Sequence, residues 1–304
     1  MKIIITGGAG FIASHVADEY IKLGHKVVVI DSLLTGTRQN LNPKAKFYKA
    51  DIRDEKKMRA IFTREKPDMI NHHAAIAEIA KSLRDPMPTL DVNVQGTINL
   101  LLRAGEARIK KFIFASTGGA IYGEPKKNPA SELFPEEPLS PYGLSKLFGE
   151  KAVHFYARYF GFDYFIFRYA NVFGPRQNPK GEAGVVAIFS ALMRAGIRPK
   201  IFGDGSKVRD YVYVKDIARA NVLALKRGKN DTVNIGWGRK VTDKNVFDAL
   251  ARNLRFKKEP VYAGFRKGEV YKITLSAEKA EKVLGFKPKL DFESGISEYL
   301  KESV

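Results

Sequence analysis

Near the N-terminus the apolar residues run unbroken instead of alternating with polar ones. Lys2 to Thr6 and Lys26 to Asp31 are nearly continuous Ile and Val, and both predict strands. A strand without alternation is buried on both faces, as in a parallel sheet covered by helices. Between these two, Phe11 to Leu23 carries the helical period and is stopped by Gly24. The alternation continues. Phe47 to Ala50 predicts a third strand, Glu55 to Arg64 a helix, Met69 to His73 a fourth strand, Leu90 to Ala107 a helix and Lys111 to Ser116 a fifth strand. A helix from Pro141 and a strand over Tyr164 to Tyr169 follow. Repeated βαβ units of this kind predict an α/β fold built on a doubly wound parallel sheet.

Beyond Asn171 the texture changes. Gly and Pro become frequent, as at Gly174-Pro175, Pro179, Gly184, Gly203 and Gly205, and the elements shorten. Residues 1–170 are therefore expected to form a Rossmann domain and 171–304 a smaller, mixed C-terminal lobe. Val208 to Val214 and Val233 to Ile235 read again as strands, so the chain is expected to return to the first domain around 208–235. Helices are predicted near Ala277 to Leu284, with Ser276 as cap and Gly285 as stop, and over Ser294 to Lys301.

Composition adds limits. At 304 residues and 44% hydrophobic the chain can bury a large core. No apolar run approaches the roughly 20 residues of a membrane span, and the opening segment is too short for a signal-peptide core, so a cytoplasmic protein without membrane contact is expected. Five His and no Cys exclude disulfides and thiolate sites and leave no metal site expected. The net charge of +19 is the one extreme. Its basic residues are spread along the chain and interrupted by acids, which argues for a solvated surface and against a nucleic-acid partner. The stretch holding Arg194, Arg198, Lys200, Lys207, Arg209, Lys215 and Arg219 would also suit a phosphate-bearing ligand.

Tyr142 and Lys146 carry the most promising chemistry. Ser140 is an N-cap candidate, Pro141 suits the first helical position, and Leu144, Leu147, Phe148, Ala152, Phe155 and Tyr159 recur at helical spacing. The pair then shares one helix face. An ammonium beside a phenol favours the phenolate, so the Tyr142 pKa is expected to fall from about 10 towards neutrality, which would make it a general base. A second pair with this spacing, Tyr211 and Lys215, lies in an alternating stretch that reads as a strand, with its side chains about 13 Å apart. It is set aside.

Gly7-Gly8-Ala9-Gly10-Phe11-Ile12-Ala13 follows a predicted strand and opens a predicted helix. In that context the glycines permit a tight turn and let a pyrophosphate approach the helix N-terminus, where free N–H groups favour negative charge. Asp31 ends the second strand where a carboxylate would accept hydrogen bonds from the adenosine ribose. It would repel a 2′-phosphate, so NAD is expected over NADP. Asp51-Ile52 could meet the adenine, although a turn Asp reads equally well there.

These residues fall into ordered motifs: Thr6 to Ala13, His72-His73-Ala74-Ala75, Asn93 to Thr97, Ser116 to Gly123, Tyr142 to Lys146, Arg168 to Arg176 and Gly205 to Tyr211. Over essentially its whole length the chain resembles the extended short-chain dehydrogenase/reductases, most closely nucleotide-sugar epimerases of the UDP-glucose (UDP-galactose) 4-epimerase family. The resemblance implies bound NAD, with Gly7, Gly10, Phe11, Ile12, Asp31, Asp51, Ile52, Ala74, Ala75, Asn93, Tyr142, Lys146 and Tyr169 around it, Asn93 as structural support. It implies that Tyr142 takes the proton from a sugar 4-hydroxyl, that Lys146 holds the nicotinamide ribose and that Thr117 hydrogen-bonds the 4-oxygen. A capping Thr at a strand end is the rival reading of Thr117. For a UDP-sugar substrate the implied contacts are Thr117, Asn171, Arg176, Val185, Arg209 and Arg266.

The chain departs from the family pattern at Ala13, for the third glycine, at Glu269, where Asp is common, and at Ala77, where an optional Lys is absent. None removes a reacting group. In the resembling family, dehydratases need an acid pair beside Thr117 and decarboxylases commonly carry a Glu there, where Gly118-Gly119 stand, so simple epimerisation is favoured. The resemblance also implies a homodimer through the helices at Leu90 to Ala107 and Tyr142 to Tyr159, whose apolar residues could instead face the sheet. His72 reads as a packed, hydrogen-bonded core residue.

Overall fold

The structure, a computed structural model, describes residues 1–180, 184–266, 268 and 270–302. Glu269 lies outside the described residues. In the first half, strands β1 (Lys2–Thr6), β2 (Lys26–Asp31), β3 (Lys46–Lys49), β4 (Met69–His72), β5 (Lys111–Thr117) and β6 (Asp163–Tyr169) alternate with helices. These are α1 (Phe11–Lys22), α2 (Glu55–Glu65), α3 (Ile79–Arg84), α4 (Pro86–Leu90), α5 (Gly96–Glu106), α6 (Gly118–Ile121) and α7 (Pro141–Phe160). The second half holds β7 (Asn171–Phe173), β8 (Lys200–Phe202), β9 (Val208–Arg209), β10 (Tyr211–Tyr213), β11 (Asp231–Ile235), β12 (Val241–Thr242) and β13 (Val261–Ala263). Its helices are α8 (Val185–Arg194), α9 (Val214–Lys226), α10 (Asp243–Leu254), α11 (Glu278–Leu284) and α12 (Phe292–Glu302).

Seven strands form one sheet in the order β11-β6-β5-β4-β1-β2-β3. Every neighbouring pair is parallel, with Ile4 opposite Val28 on one side and Ile70 on the other. The order reverses between β1 and β4, and open sheets of this kind bind ligands at that switch point, beyond the carboxyl ends of the strands. Both faces are covered. Val16 and Tyr20 of α1 and Ile217 and Ala220 of α9 pack on one face, and Met58, Leu100, Leu101 and Val153 on the other. Phe112, Ile113, Phe165 and Ile166 are fully buried. At about 1.5–3 kcal/mol for each such side chain, burial on both faces explains why these strands read as apolar runs.

A separate apolar cluster holds the C-terminal lobe together, joining Phe173, Phe189, Met193, Tyr213, Phe247, Leu250 and Ile296. The chain returns to the sheet only through β11, which pairs with β6. The predicted strand over 208–214 is corrected. It is split into β9 and β10, which pair with β12 and β7 outside the main sheet, and Val214 already opens α9. The predicted helix over 90–107 is likewise broken by a π-helical turn at Asp91–Gln95, a feature often found where a helix serves a site.

Candidate active site

Helix α7 carries the central pair. The Ser140 hydroxyl accepts from the Gly143 N–H at 3.2 Å, Pro141 occupies the first turn, and Gly161 ends the helix with φ of 78°. The helix lies close on β5 because Gly149 has no side chain. A Cβ there would stand 2.5 Å from the Phe114 ring. That approach brings Tyr142 and Lys146 to the end of β5, where both line a cavity of about 870 Å³ at the switch point. Its volume falls within the roughly 300–1,000 Å³ of small-molecule sites.

The pair does not have the electrostatics its spacing predicted. Burial pushes the Tyr142 phenol up to about 12, with a hydrogen bond to Thr117 pulling the other way. Lys146 directs its ammonium to the Ala115 carbonyl at 2.8 Å and lies over the Phe114 ring, 5.0 Å from its centroid. Burial lowers Lys146 to about 8, and Glu150 one turn later opposes the shift. The expected fall of the Tyr142 pKa is therefore corrected: burial outweighs the opposing hydrogen bond and the shift is upward. Spacing put the two residues on one face, but the ammonium bonds to the Ala115 carbonyl of β5.

Asn93, in the π-helical turn, fixes this arrangement from behind. Its amide brackets Ile76, accepting from the Ile76 N–H at 2.8 Å and donating to the Ile76 carbonyl at 3.0 Å. It also donates to the Ser145 hydroxyl at 2.9 Å, which donates in turn to the Tyr142 carbonyl at 2.7 Å. Asn93 does not line the cavity.

At the other end the glycine turn closes on β4. Gly7 has φ of 71°, and a Cβ on it would sit 2.7 Å from the Ala74 nitrogen, so only glycine fits. Gly10 caps α1 with no side-chain hydrogen bond, leaving the first-turn N–H groups at Phe11 and Ile12 facing the cavity. Asp31 is buried and accepts from the Ala9 N–H at 3.0 Å and the Leu33 N–H at 2.7 Å. Burial raises its pKa and those two bonds oppose the shift. These residues fit a dinucleotide: a pyrophosphate cradle that a Cβ would fill, and a carboxylate fixed at the end of β2 with lone pairs to spare.

Asp51 and Ile52 line the same end, with Asp51 paired to Arg53 at 2.7 Å. Ala74, Ala75 and Tyr169 line the middle, and Asn171, Val185 and Arg209 the wall contributed by the C-terminal lobe. Arg209 donates to the Val208 carbonyl at 2.9 Å. Two further sequence candidates stand elsewhere. Arg176 pairs with Asp18 at 2.8 Å and lines a separate cavity of about 480 Å³, and Arg266 stacks on the Phe202 ring at 3.6 Å, off the lining. Gly118 also turns out to face away: a Cβ on it would meet Leu275 at 2.3 Å, whereas Gly119 lines the cavity. The discarded pair is separated, with Tyr211 buried in β10 and Lys215 on α9, bonded to Glu302 at 2.5 Å.

The cavity also holds residues without a role assigned from sequence. His73 stacks on Tyr169 at 6.1 Å, and burial first and Lys146 second lower its pKa to about 3. Arg53 and Glu78 also line the wall. By contrast His72 is closed into the core, within 2.6 Å of the Thr6 hydroxyl and 2.9 Å of the Thr97 hydroxyl. Among the described residues no cluster of three or more His, Asp or Glu could hold a metal ion, and no helix is long and apolar enough to cross a membrane.

A parallel sheet with a dinucleotide cradle and a buried Tyr/Lys pair at its switch point defines a nucleotide-cofactor enzyme of the short-chain type. Residues 3–236 match the NAD dependent epimerase/dehydratase family, and the chain belongs to it. It is similar to the UDP-glucose 4-epimerase of Thermotoga maritima, solved with UDP-glucose, at 47% identity and a TM-score of 0.98, covering 99% of this chain and 98% of that one. The UDP-glucose 4-epimerase of Thermus thermophilus, solved with NAD, is 38% identical with a TM-score of 0.95, over 99% and 98% of the two chains. The UDP-glucose 4-epimerase of Mycolicibacterium smegmatis is 38% identical over 303 residues, 98% of this chain and 96% of that protein.

Proposed function

We propose that this chain is an NAD-dependent nucleotide-sugar 4-epimerase, an isomerase interconverting UDP-glucose and UDP-galactose. The observation that carries the reading is the meeting of Thr117, Tyr142 and Lys146 in one cavity with the Gly7/Gly10 cradle and Asp31. NAD, when bound, would take the hydride from sugar C4 and return it to the other face, and its cationic ring would add the positive charge that the phenol lacks.

The chain's own residues do the rest. The backbone around Gly7, Gly10, Phe11 and Ile12 would hold the pyrophosphate and Asp31 the adenosine ribose. Tyr142 would first release its own phenolic proton to solvent under the added positive charge, then as the phenolate would take the 4-hydroxyl proton while the C4–H bond breaks and the ketone forms, and give it back when the alcohol is restored. Thr117, already bonded to the Tyr142 hydroxyl, orients that proton. Lys146 supplies a fixed positive charge beneath it and would hold the nicotinamide ribose. Asn171, Val185 and Arg209 on the lobe wall would receive the nucleotide, Arg209 because a guanidinium suits phosphate oxygens. Residues 171–304 would thus form the substrate lobe and 1–170 the cofactor domain.

Incubation with UDP-glucose and catalytic NAD, followed by proton NMR, is expected to show galacto-configured product at C4 with no net NADH. Stoichiometric NADH would mark a dehydrogenase instead.

A homodimer is the second part of this proposal. On α7, Leu144, Phe148, Phe155 and Tyr159 are 53%, 47%, 51% and 70% exposed, a single apolar stripe at helical spacing that does not face the sheet. Light scattering should return twice the chain mass; a monomer at micromolar concentration would contradict it. The same reading puts the enzyme in the cytoplasm, beside its soluble cofactor and substrate.

A further inference from the structure

Glu78 is a half-buried carboxylate on the wall of the reaction cavity, and the mechanism above does not use it. It sits at a fixed place. Two residues earlier, Ile76 is clamped on both its N–H and its carbonyl by the Asn93 amide, which also holds Ser145 of α7. One turn later, Ser82 donates its N–H to the Glu78 carbonyl at 3.0 Å, and the Ser82 hydroxyl accepts from the Tyr142 N–H at 3.3 Å. The segment bearing Glu78 is thereby tied to the reacting tyrosine at both ends.

The same short helix also touches the C-terminal lobe. A Cβ on Gly268 would stand 2.5 Å from Leu83. Glu78 therefore lies on a segment tied to Tyr142 on one side and packed against the C-terminal lobe on the other, where the reading above expects the sugar. Cations line the cavity too, but Arg53 is paired with Asp51, Lys146 is directed to the Ala115 carbonyl, Arg209 to the Val208 carbonyl, and Lys81 has an interaction of its own.

We propose that Glu78 selects the sugar by charge, admitting a neutral hexose and rejecting a uronate, on the epimerase reading given above. A carboxylate accepts hydrogen bonds from sugar hydroxyls, and such charge-assisted bonds are the strong ones. Against a second carboxylate it is repulsive. At an effective dielectric constant near 20, two such charges about 6 Å apart cost on the order of 100-fold in binding or rate. Inversion at C4 makes the position sensitive, because the 4-ketone must present both faces to the cofactor. The substituent at C5 is carried across the cavity during each turnover, so a C6 carboxylate cannot avoid the wall throughout the cycle. Specificity built by repulsion needs no extra contact to the accepted substrate.

The test compares kcat/KM for UDP-glucose and UDP-glucuronate, with NAD present, in the unaltered enzyme, Glu78→Gln and Glu78→Asp. The unaltered enzyme is expected to favour UDP-glucose by about 100-fold. Glu78→Gln should narrow that ratio at least roughly tenfold, while Glu78→Asp, which keeps the charge, holds it near the original value. A ratio that is the same in all three proteins overturns the proposal, as does equal use of both sugars by the unaltered enzyme. Should Glu78→Gln fail to fold, inhibition decides: UDP-glucuronate binding the unaltered enzyme as tightly as UDP-glucose overturns it. Failure of the unaltered enzyme to epimerise either sugar overturns the functional reading instead.

Discussion

Lys146 and Arg168 are both cations with almost no exposure, 4% and 3%, and both lie against the end of β5, yet they are held in opposite ways. Arg168 is enclosed by acceptors. Its guanidinium reaches Glu150 at 2.6 Å and 3.0 Å, Glu136 at 2.7 Å and the Tyr122 hydroxyl at 2.9 Å, and Glu150 also accepts from Ser116 at 2.5 Å. Burial works against that charge, but the bonds and charge of Glu150 more than offset it and the Arg168 pKa is raised. Lys146 has a carbonyl and a ring face, and its pKa is lowered. A saturated cation fixes the fold, bolting α7 to β6. An undersupplied one lines the cavity, where on the proposed reading its charge would act on the proton that moves.

The contrast can be broken from either side. Arg168→Met leaves Glu150 as a buried, unpaired carboxylate and should cost about 3–5 kcal/mol of stability in urea unfolding. A loss under 1 kcal/mol would make the network ornamental. Lys146→Met is expected to act in the other direction. The Lys146 pKa of about 8 in the folded protein lies below the unfolded value near 10.4, so its charge opposes folding at pH 7 by on the order of 3 kcal/mol. Replacing it should leave stability unchanged or raise it while abolishing turnover. The unfolded state binds more protons between about pH 8 and 10.4, so this group makes stability rise across that window and contributes no slope below it. Unfolding curves at pH 7 and 10 should show the rise in the unaltered protein and lose it in Lys146→Met. A fall across the window would place Lys146 among the stabilising charges.

Legibility divides along similar lines. Strands β1, β2, β4, β5 and β6 were readable because a sheet buried on both faces leaves unbroken apolar runs, and α7 because Ser140, Pro141 and a long apolar period mark it locally. The cradle at Gly7 and the Tyr142/Lys146 pair were readable for the same reason: each is a local arrangement with a fixed spacing. What spacing cannot carry is where a side chain is aimed after packing. The sign of the Tyr142 shift was misread because spacing does not show that the phenol is buried, or that Lys146 on α7 bonds to the Ala115 carbonyl of β5. The six-residue helix α3 is too short to show a period, so Glu78 reached the cavity unannounced. The Tyr211 to Lys215 stretch alternates like a strand, but only Tyr211–Tyr213 finds a partner, at Asn171–Phe173, before α9 begins.

The central claim is that the neutral Tyr142 phenol becomes the base at a sugar C4 once cofactor and substrate fill the cavity. Its most direct test is the rate of UDP-glucose epimerisation by Tyr142→Phe, measured beside its unfolding free energy. The loss of one hydroxyl should change stability by no more than about 1 kcal/mol. Turnover should fall by roughly 10²- to 10⁴-fold, the range for removing a general base. A Tyr142→Phe enzyme that folds and turns over at the original rate would contradict the account.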